Sequence, residues 1–186
     1  MTNYVSWSNF DRRQSREDTG RLRYALPFAI DNQWVIGLDW LRGTGTDNNN
    51  NNSPASSATT TLVSTATQRH QGLFSEFQFT VRDGLRVTAG GRIQQVDDQV
   101  VCLPGGCISS RDQRTLHAWQ LGIRQVLNPG WSVYAKQGQS FRLPSTDDLA
   151  STAQPLQPQT SRDQEIGVEW RRAQDQFRLA VFRSDL

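Results

Sequence analysis

Apolar and polar side chains alternate at every second position through most of this 186-residue sequence, which is the period of a β-strand. The segment WSVYAK at 131–136 is typical of the pattern, and no segment sustains the i, i+3, i+4, i+7 spacing of an amphipathic helix. The sequence therefore predicts an all-β chain with about nine long antiparallel strands. Their predicted ranges are 2–10, 20–29, 33–43, 68–81, 85–98, 112–126, 131–143, 161–172 and 176–186.

The predicted connections alternate strictly between short and long. The short ones are rich in Asn, Asp, Gly or Pro, as tight turns are, and they cover 30–32, 82–84, 127–130 and 173–175. The long ones cover 11–19, 44–67, 99–111 and 144–160. In an up-and-down sheet, this order places all short turns at one end and all long loops at the other. Outer-membrane β-barrels have the same asymmetry.

The longest predicted loop is strongly polar. Asp47 is followed by five asparagines at 48–52 and then by a stretch rich in Ser and Thr. Such a segment buries too little apolar area to offset the entropy lost on ordering. We therefore expect 44–67 to be a mobile loop.

Alternation gives each strand one apolar face and one polar face, which suits either a soluble β-sandwich or a membrane barrel. Two features favour the barrel. The predicted strands are mostly about 10 to 14 residues long, which is enough to cross a bilayer at a tilt. Large aromatic residues also stand on the apolar face beside the short turns, where they predict a membrane girdle. These residues are Phe28, Trp34, Phe79, Trp131, Trp170 and Phe177.

Several other classes of protein are disfavoured by composition. No apolar run approaches the roughly 18 residues of a membrane-spanning helix. A formal charge of +2, with 20 basic and 18 acidic residues, gives little attraction for nucleic acid. No export signal follows Met1, so we expect any such signal to lie outside this sequence.

The two cysteines enclose the turn-forming sequence LPGG. Cys102 and Cys107 are predicted to form a disulfide in an oxidising compartment, and two free neighbouring thiols are the alternative. Zinc needs about four ligands, and no third cysteine or nearby pair of histidines is present. We therefore predict neither a metal site nor a cofactor.

Four segments resemble one family when they are taken in order. They are LFSEFQFTVRDGLRVTAGGRIQQ at 73–95, WSVYAKQGQSFRLPSTDDL at 131–149, LQPQTSRDQEIGVEW at 156–170 and FRLAVFRSDL at 177–186. Their order and spacing resemble the barrel of TonB-dependent outer-membrane receptors of the siderophore-receptor type. In that family, Phe-Arg-x-Pro closes a strand at the outer rim, and Pro144 suits that position because it donates no ladder hydrogen bond.

The resemblance implies a role and a set of partners. Residues 1–186 would be an interior part of the barrel of a bacterial outer-membrane receptor, without the plug domain or the last strands, and would not close on their own. The parent would take up a ferric siderophore or similar scarce nutrient, contact outer-membrane lipid, and reach the TonB complex through its plug. In the haem-receptor branch of the family, a histidine usually lies in the loop after Phe-Arg-x-Pro. Residues 145–160 contain no histidine, so the resemblance disfavours haem as the ligand.

No set of nucleophile, base and acid points to an enzyme, since His70 and His117 stand apart from any activating neighbour. For binding an anionic ligand, polar residues expected in the lumen near the long loops are better candidates. These residues are Arg92, Gln94, Arg114, Lys136, Gln137 and Arg142. The alternative is that they only neutralise lumenal acids, with Arg92 and Glu165 as one such pair.

Two other functions remain open at this point. The chain would be part of another outer-membrane barrel, such as a porin or adhesin, if no plug domain ever preceded it. It would be a soluble β-sandwich binding module if the apolar face packed inward.

Overall fold

The computed structural model describes residues 8–29, 31–52, 59–103, 109–151 and 156–186. Within these ranges, eight strands form one antiparallel sheet in which every strand pairs with its neighbours in the chain. The strands are β1 (Ser8–Ala29), β2 (Asn32–Asn52), β3 (Thr59–Arg82), β4 (Leu85–Cys102), β5 (Ser110–Asn128), β6 (Trp131–Arg142), β7 (Gln159–Arg172) and β8 (Asp175–Asp185), and a short helix α1 (Thr146–Ser151) follows β6. The predicted all-β, up-and-down fold is confirmed, with eight strands rather than nine.

Residues 2–7 of the first predicted strand lie outside the described residues, and its remainder, from Ser8, is continuous with the second predicted strand. The predicted loop 11–19 was wrong, because these residues pair with β2, for example Ser15 with Gly45. The segment DRRQSREDT is polar on both faces, so the alternation that marks a strand is lost. Backbone pairing does not need that alternation once neighbouring strands supply ladder partners.

The predicted mobile loop 44–67 was also mostly wrong. Residues 44–52 belong to β2 and 59–67 to β3, so Asn48 pairs with Arg12 on one side and with Val63 on the other. Only 53–58 lie outside the described residues. Similarly, β4 extends to Cys102 and β5 begins at Ser110, so the predicted loop 99–111 is much shorter.

The four short turns are confirmed, and all lie at one end of the sheet. Each contains a residue in the left-handed region, namely Asp31 (φ 60°), Gly84 (φ 73°), Gly130 (φ 99°) and Ala173 (φ 49°). Glycine adopts that region without steric cost, which explains its place in two of the turns. Backbone hydrogen bonds brace these two, from Val126 N to Gly84 O and from Arg171 N to Gly130 O, each 2.7 Å.

The apolar face of the sheet is exposed along every strand. Leu38, Leu73, Leu121 and Ile166 all stand on this outer face with about half or more of their surface uncovered. No second sheet covers them anywhere in the part of the chain that the structure describes. The tryptophans and phenylalanines are therefore not packed between two sheets, and the β-sandwich alternative is wrong.

The outer apolar band runs obliquely across the strands. Its boundary towards the long loops is marked by Trp40 in β2 and by Trp119 in β5, both exposed. The rung of paired residues through Trp40 reaches Thr115 in β5. Trp119 lies four positions beyond Thr115, towards the short turns, so the boundary moves four residues across three strand steps.

The opposite boundary of the band moves in the same direction. The register pairs that begin at Trp34 in β2 lead, four strand steps later, to Gln137 in β6. The aromatic residue beside the short turn of β6 is Trp131, which lies six positions from Gln137. Neighbouring strands lie about 4.8 Å apart, and each residue rises about 3.4 Å along a strand. The displacement of the band along successive strands therefore corresponds to a strand tilt of about 45° relative to the normal of the band. Transmembrane barrels tilt their strands by roughly 35–45°, so a horizontal membrane band matches the sequence pattern.

Helix α1 was missed by the sequence analysis. Its first turn has a reciprocal capping arrangement: Asp148 accepts from the Ser145 backbone N–H at 2.9 Å, and Ser145 Oγ accepts from the Asp148 N–H at 3.2 Å. This is the capping box, which satisfies two amide groups at the start of a helix. No helix in the described ranges has the length and apolar character needed to cross a membrane.

Candidate functional site

The inner, polar face of the sheet is concave and forms an open groove of about 840 Å³. Residues from seven of the eight strands line it, so the groove depends on the register of the whole sheet. The inner-face side chains that matter below are Arg21, Phe74, Glu76, Arg92, Gln120 and Lys136.

One cluster in the groove joins two strands that are not neighbours. Arg92 of β4 donates to both carboxylate oxygens of Asp39 of β2, at 2.7 and 2.8 Å. It also donates to Gln94 Oε1, at 3.0 Å from Nε and 2.6 Å from Nη2. The bridge passes over Gly72 of β3, where a side chain would come within 2.5 Å of Asp39 Oδ1. The predicted pair of Arg92 with Glu165 was therefore wrong.

Glu165 has other partners, at the groove's far side. It receives hydrogen bonds from Lys136 Nζ at 2.7 Å, from Arg178 Nη2 at 2.6 Å and from the Tyr134 hydroxyl. Arg178 lies over the Tyr134 ring, 5.0 Å from its centroid. Further along the same face, Arg124 pairs with Glu169 at 2.7 Å. The inner face of β5–β8 is thus a ladder of alternating charges.

The predicted ligand-binding residues do not form one cluster. Arg92 and Gln94 are in contact, whereas Lys136 belongs to the Glu165 ladder. Arg114 pairs with Asp112 and donates to Gln157 Oε1 at 2.7 Å. Their role in binding stays a prediction.

Two more of the predicted ligand-binding residues lie on strand β6. Arg142, its last residue, is exposed and pairs with Gln159. Gln137 was misplaced, since it pairs with Leu121 and Gln164 on the outer face. Adjacent residues of a strand point to opposite faces, so Gln137 cannot share the inner face with Lys136.

Helix α1 folds into the concave side and packs on β1, β2 and β3. Thr146 is completely buried there, with its hydroxyl 2.8 Å from Ser15 Oγ. Gln68, only 1% exposed, donates from Nε2 to Pro144 O at 2.9 Å, and Ser64 donates to Ala150 O. These contacts fix α1, here called the strap, to the inner wall of the sheet near the long-loop end.

The strap contributes the small buried core of the described structure. Leu149 and Ala150 of α1 pack with Ala66 and Val100. Glycine in β2 makes room for the helix, because a side chain at Gly45 would lie 2.9 Å from Thr146 O. The inner surface near the long loops is therefore formed by a loop segment as well as by strands.

A buried polar pair lies on the inner face beside the strap. His70 Nε2 is 2.8 Å from Asp98 Oδ1, and both side chains are almost fully buried. The pair joins β3 to β4 and satisfies two polar groups that would otherwise be costly to bury. No group of three or more metal-ligating side chains occurs among the described residues.

The predicted girdle residues lie beside the short turns on the outer side. Trp34 stacks on Phe77 with centroids 5.2 Å apart. Trp131 faces Trp170, whose other neighbour in register is Phe177, so three aromatic residues cross β6, β7 and β8 in one rung. Phe79 is exposed on the outer side as well, and Phe28 is exposed at a register irregularity beside the first turn. That these residues contact lipid headgroups stays a prediction.

The predicted disulfide falls partly outside the described residues. Cys107 is not among them, and no cysteine is free in the part of the chain that the structure describes. The pairing of Cys102 with Cys107 stays a prediction.

Sequence analysis also missed partners that complete the site. Asp39 was not singled out from the sequence, although a carboxylate inside the apolar run WVIGLDWL needs a cation beside it. The signal for α1 was the Ser-x-x-Asp spacing at 145–148.

Comparisons with known proteins agree with this geometry. The ferric yersiniabactin uptake receptor FyuA from Yersinia pestis has a similar fold, with a TM-score of 0.79 and 17% identity over 95% of this chain and 29% of that one. The closed form of the ferric-catecholate import receptor Fiu from E. coli K12 gives 0.72 and 14% over 92% and 31%, and the copper transporter OprC gives 0.72 and 15% over 94% and 30%. No curated protein sequence matches.

These structures share the fold, and this chain spans less than a third of their length. The family model described as "TonB dependent receptor-like, beta-barrel" matches residues 2–186, nearly the whole sequence. The chain therefore belongs to the family of TonB-dependent receptor-like β-barrels.

Proposed function

We propose that the protein containing this chain imports a ferric siderophore, or a similar scarce anionic nutrient, across the bacterial outer membrane. The observation that carries the proposal is the combination of an exposed apolar band at a barrel-like tilt with a charged, concave inner face. The similar receptors FyuA and Fiu are named for ferric yersiniabactin and ferric-catecholate import, which supports an iron chelate as cargo.

The inner face offers basic groups for such a ligand. Arg21 and Lys136 have more than half of their side-chain surface accessible, and Arg142 is exposed at the end of β6 beside the strap. Siderophore complexes are often anionic, and charge-assisted hydrogen bonds from guanidinium and ammonium groups suit them. Arg92 is less suited to ligand capture, because Asp39 and Gln94 already occupy its donors.

The membrane and TonB are the partners in this proposal. The outer face would meet lipid, with aromatic residues at headgroup level, and the strands would enclose a plug domain elsewhere in the protein that contacts TonB. The wall described here would provide part of the vestibule, in which loops and plug bind the cargo before energised transport. The chemistry is binding and movement rather than catalysis.

Uptake of labelled iron tests the function. A strain lacking the gene and a complemented strain would be given a panel of anionic ⁵⁵Fe–siderophores under iron limitation, with a TonB-deficient strain as control. We expect uptake of at least one chelate only in the complemented strain with TonB. Equal uptake of every chelate with and without the gene would contradict the proposal.

A charge variant connects the uptake to this wall. Arg142→Gln should weaken binding of the transported chelate by about tenfold, because one charge-assisted contact is removed. Arg172→Gln removes the same charge at the short-turn end and should leave binding unchanged. Equal affinities for the two variants would show that Arg142 does not contact the cargo.

A further inference from the structure

Two arginines face each other on the outer side of the sheet. Arg42 of β2 is the register partner of Arg69 of β3, and both side chains are exposed. Like charges directly opposite each other on antiparallel strands repel. Within the described ranges, neither arginine has an ion pair within 4.0 Å or a side-chain hydrogen bond, although Arg69 interacts electrostatically with Asp97 at longer range.

The neighbouring carboxylates are paired more closely with other arginines than with Arg42 and Arg69. Asp97, the partner of Arg69 on the next strand, receives two hydrogen bonds from Arg111, at 3.0 and 2.8 Å. Asp18, which faces Arg42 from β1, lies 3.6 Å from Arg16. The arginine patch contains four guanidinium groups and two carboxylates, so it carries a net positive charge. Its residues are Arg16, Arg42, Arg69, Arg111, Asp18 and Asp97.

The patch borders the apolar band directly. Trp40, 53% exposed, lies two residues before Arg42 on the same face, and Leu38 lies two residues before Trp40. In β3, Leu73 stands four residues beyond Arg69 on that face. A molecule with an anionic head and apolar chains would meet the arginines and the exposed leucines together.

We propose that Arg42 and Arg69 form a binding site for the phosphate group of a phosphorylated glycolipid in the outer leaflet of the membrane. Guanidinium groups bind phosphate through paired hydrogen bonds, and two on adjacent strands offer two such forks. The phosphate removes the repulsion between the arginines, and the acyl chains cover the apolar face below. The inference rests on the proposed placement in the outer membrane, with the long loops outside.

Native mass spectrometry of the full-length protein tests the site. Detergent-purified protein would be mixed with a bis-phosphorylated glycolipid, with the same lipid after removal of its phosphates, or with inorganic phosphate as a competitor. We expect the phosphorylated lipid to remain bound, the dephosphorylated lipid to bind at least about tenfold more weakly, and inorganic phosphate to compete poorly. Displacement by millimolar phosphate would overturn the lipid assignment in favour of a small-anion site.

Paired variants separate this patch from general charge effects. Arg42→Gln/Arg69→Gln should reduce binding of the phosphorylated lipid by about tenfold or more. Arg82→Gln/Arg172→Gln makes the same charge change at the short-turn end and should not change binding. Equal lipid binding by both double variants would overturn the site.

A failure of this inference is distinguishable from a failure of the proposed function. If ⁵⁵Fe–siderophore uptake is intact but both double variants bind the lipid equally, only the lipid site is wrong. If the full-length protein does not fractionate with outer membranes, the placement on which both ideas rest is wrong.

Discussion

The ring of Tyr134 in β6 lies directly against Gly167 of β7, its partner in register. A side-chain carbon at Gly167 would lie 2.6 Å from both Cζ and Oη of Tyr134. Two further register pairs, Gly20 with Trp40 and Gly37 with Phe74, have the same relationship. The aromatic ring covers the backbone that the glycine leaves bare, and the glycine provides the space for the ring.

Replacing Gly167 with alanine should therefore destabilise the barrel. The new methyl group overlaps Tyr134, whose hydroxyl is held by Glu165 and Arg178, so the ring cannot move without breaking those contacts. We expect a loss of about 1–3 kcal/mol in the free energy of unfolding, as for other overpacked sites. Denaturant unfolding of the full-length protein, followed by tryptophan fluorescence, measures it.

Gly122→Ala is the matched control on the same inner face. The nearest atoms to a side chain there are 3.9 Å away, which is ordinary contact. Alanine in place of a glycine with compatible backbone geometry should stabilise by about 0.4–1 kcal/mol through the unfolded state. If both substitutions change stability equally, the close contact of Tyr134 with Gly167 has no energetic role.

The bridge between Arg92 and Asp39 should contribute to stability beyond an ordinary surface ion pair. Both side chains are mostly covered, and Arg92→Gln would leave the Asp39 carboxylate without its bidentate partner. We expect a loss of roughly 2–4 kcal/mol, because an uncompensated, partly buried charge is costly. Arg21→Gln removes an exposed 3.9 Å contact to Asp39 and a cation–π contact 5.9 Å from the centroid of the Phe74 ring, and it should cost only about 1 kcal/mol or less.

A double-mutant cycle with Asp39→Asn isolates the pair. If Asp39→Asn and Arg92→Gln are additive in the unfolding free energy, the two groups do not interact in solution. A coupling of about 1 kcal/mol or more would confirm the bridge.

The sequence predicted those parts of the fold in which the two faces differ. Alternation located most of the strands because one face is apolar, and the four short turns were recognisable from residues such as Asp83 and Gly84. It failed at 11–19 and 44–52, which extend past the apolar band and are polar on both faces. There the strand is formed by backbone pairing with neighbours, and side-chain chemistry gives no sign of it.

The candidate site was less predictable, since it depends on register. Arg92 meets Asp39 across an intervening strand at Gly72, and no local pattern gives the alignment of three strands at once. Gln137 was assigned to the wrong face although the local alternation around it was sufficient to place it. Helix α1 has six residues, which are too few for a helical period to appear. Its capping box was therefore the one sequence signal that could have predicted it.

The capping box makes the strap sensitive to acid. Hydrogen bonds from the Ser145 backbone N–H and then from its hydroxyl hold the pKa of the Asp148 carboxyl below its usual value, with Arg142 adding to the effect. A lowered pKa in the folded state gives stability that is present above the unfolded value, near 3.8, and is lost as the pH falls through the folded value. Amide hydrogen exchange in α1, corrected for its intrinsic pH dependence, should therefore speed up below about pH 4.

Asp148→Asn should remove most of that pH dependence, whereas Asp147→Asn should retain it, because among the described residues Asp147 makes only a 3.9 Å contact with Arg13. Identical exchange profiles for the two variants would show that the cap does not control the strap.

The strap also depends on the missing side chain at Gly45. Valine there would place carbon atoms within 2.9 Å of Thr146 O, and backbone atoms of α1 cannot be displaced without breaking the contacts of the buried Thr146. We expect Gly45→Val to detach the strap and to make limited proteolysis within residues 143–151 of the full-length protein at least about tenfold faster. Thr44→Val is the matched control, since Thr44 is adjacent, exposed and on the other face. If cleavage within 143–151 is equally slow in Gly45→Val and Thr44→Val, then α1 does not pack against β2 in solution.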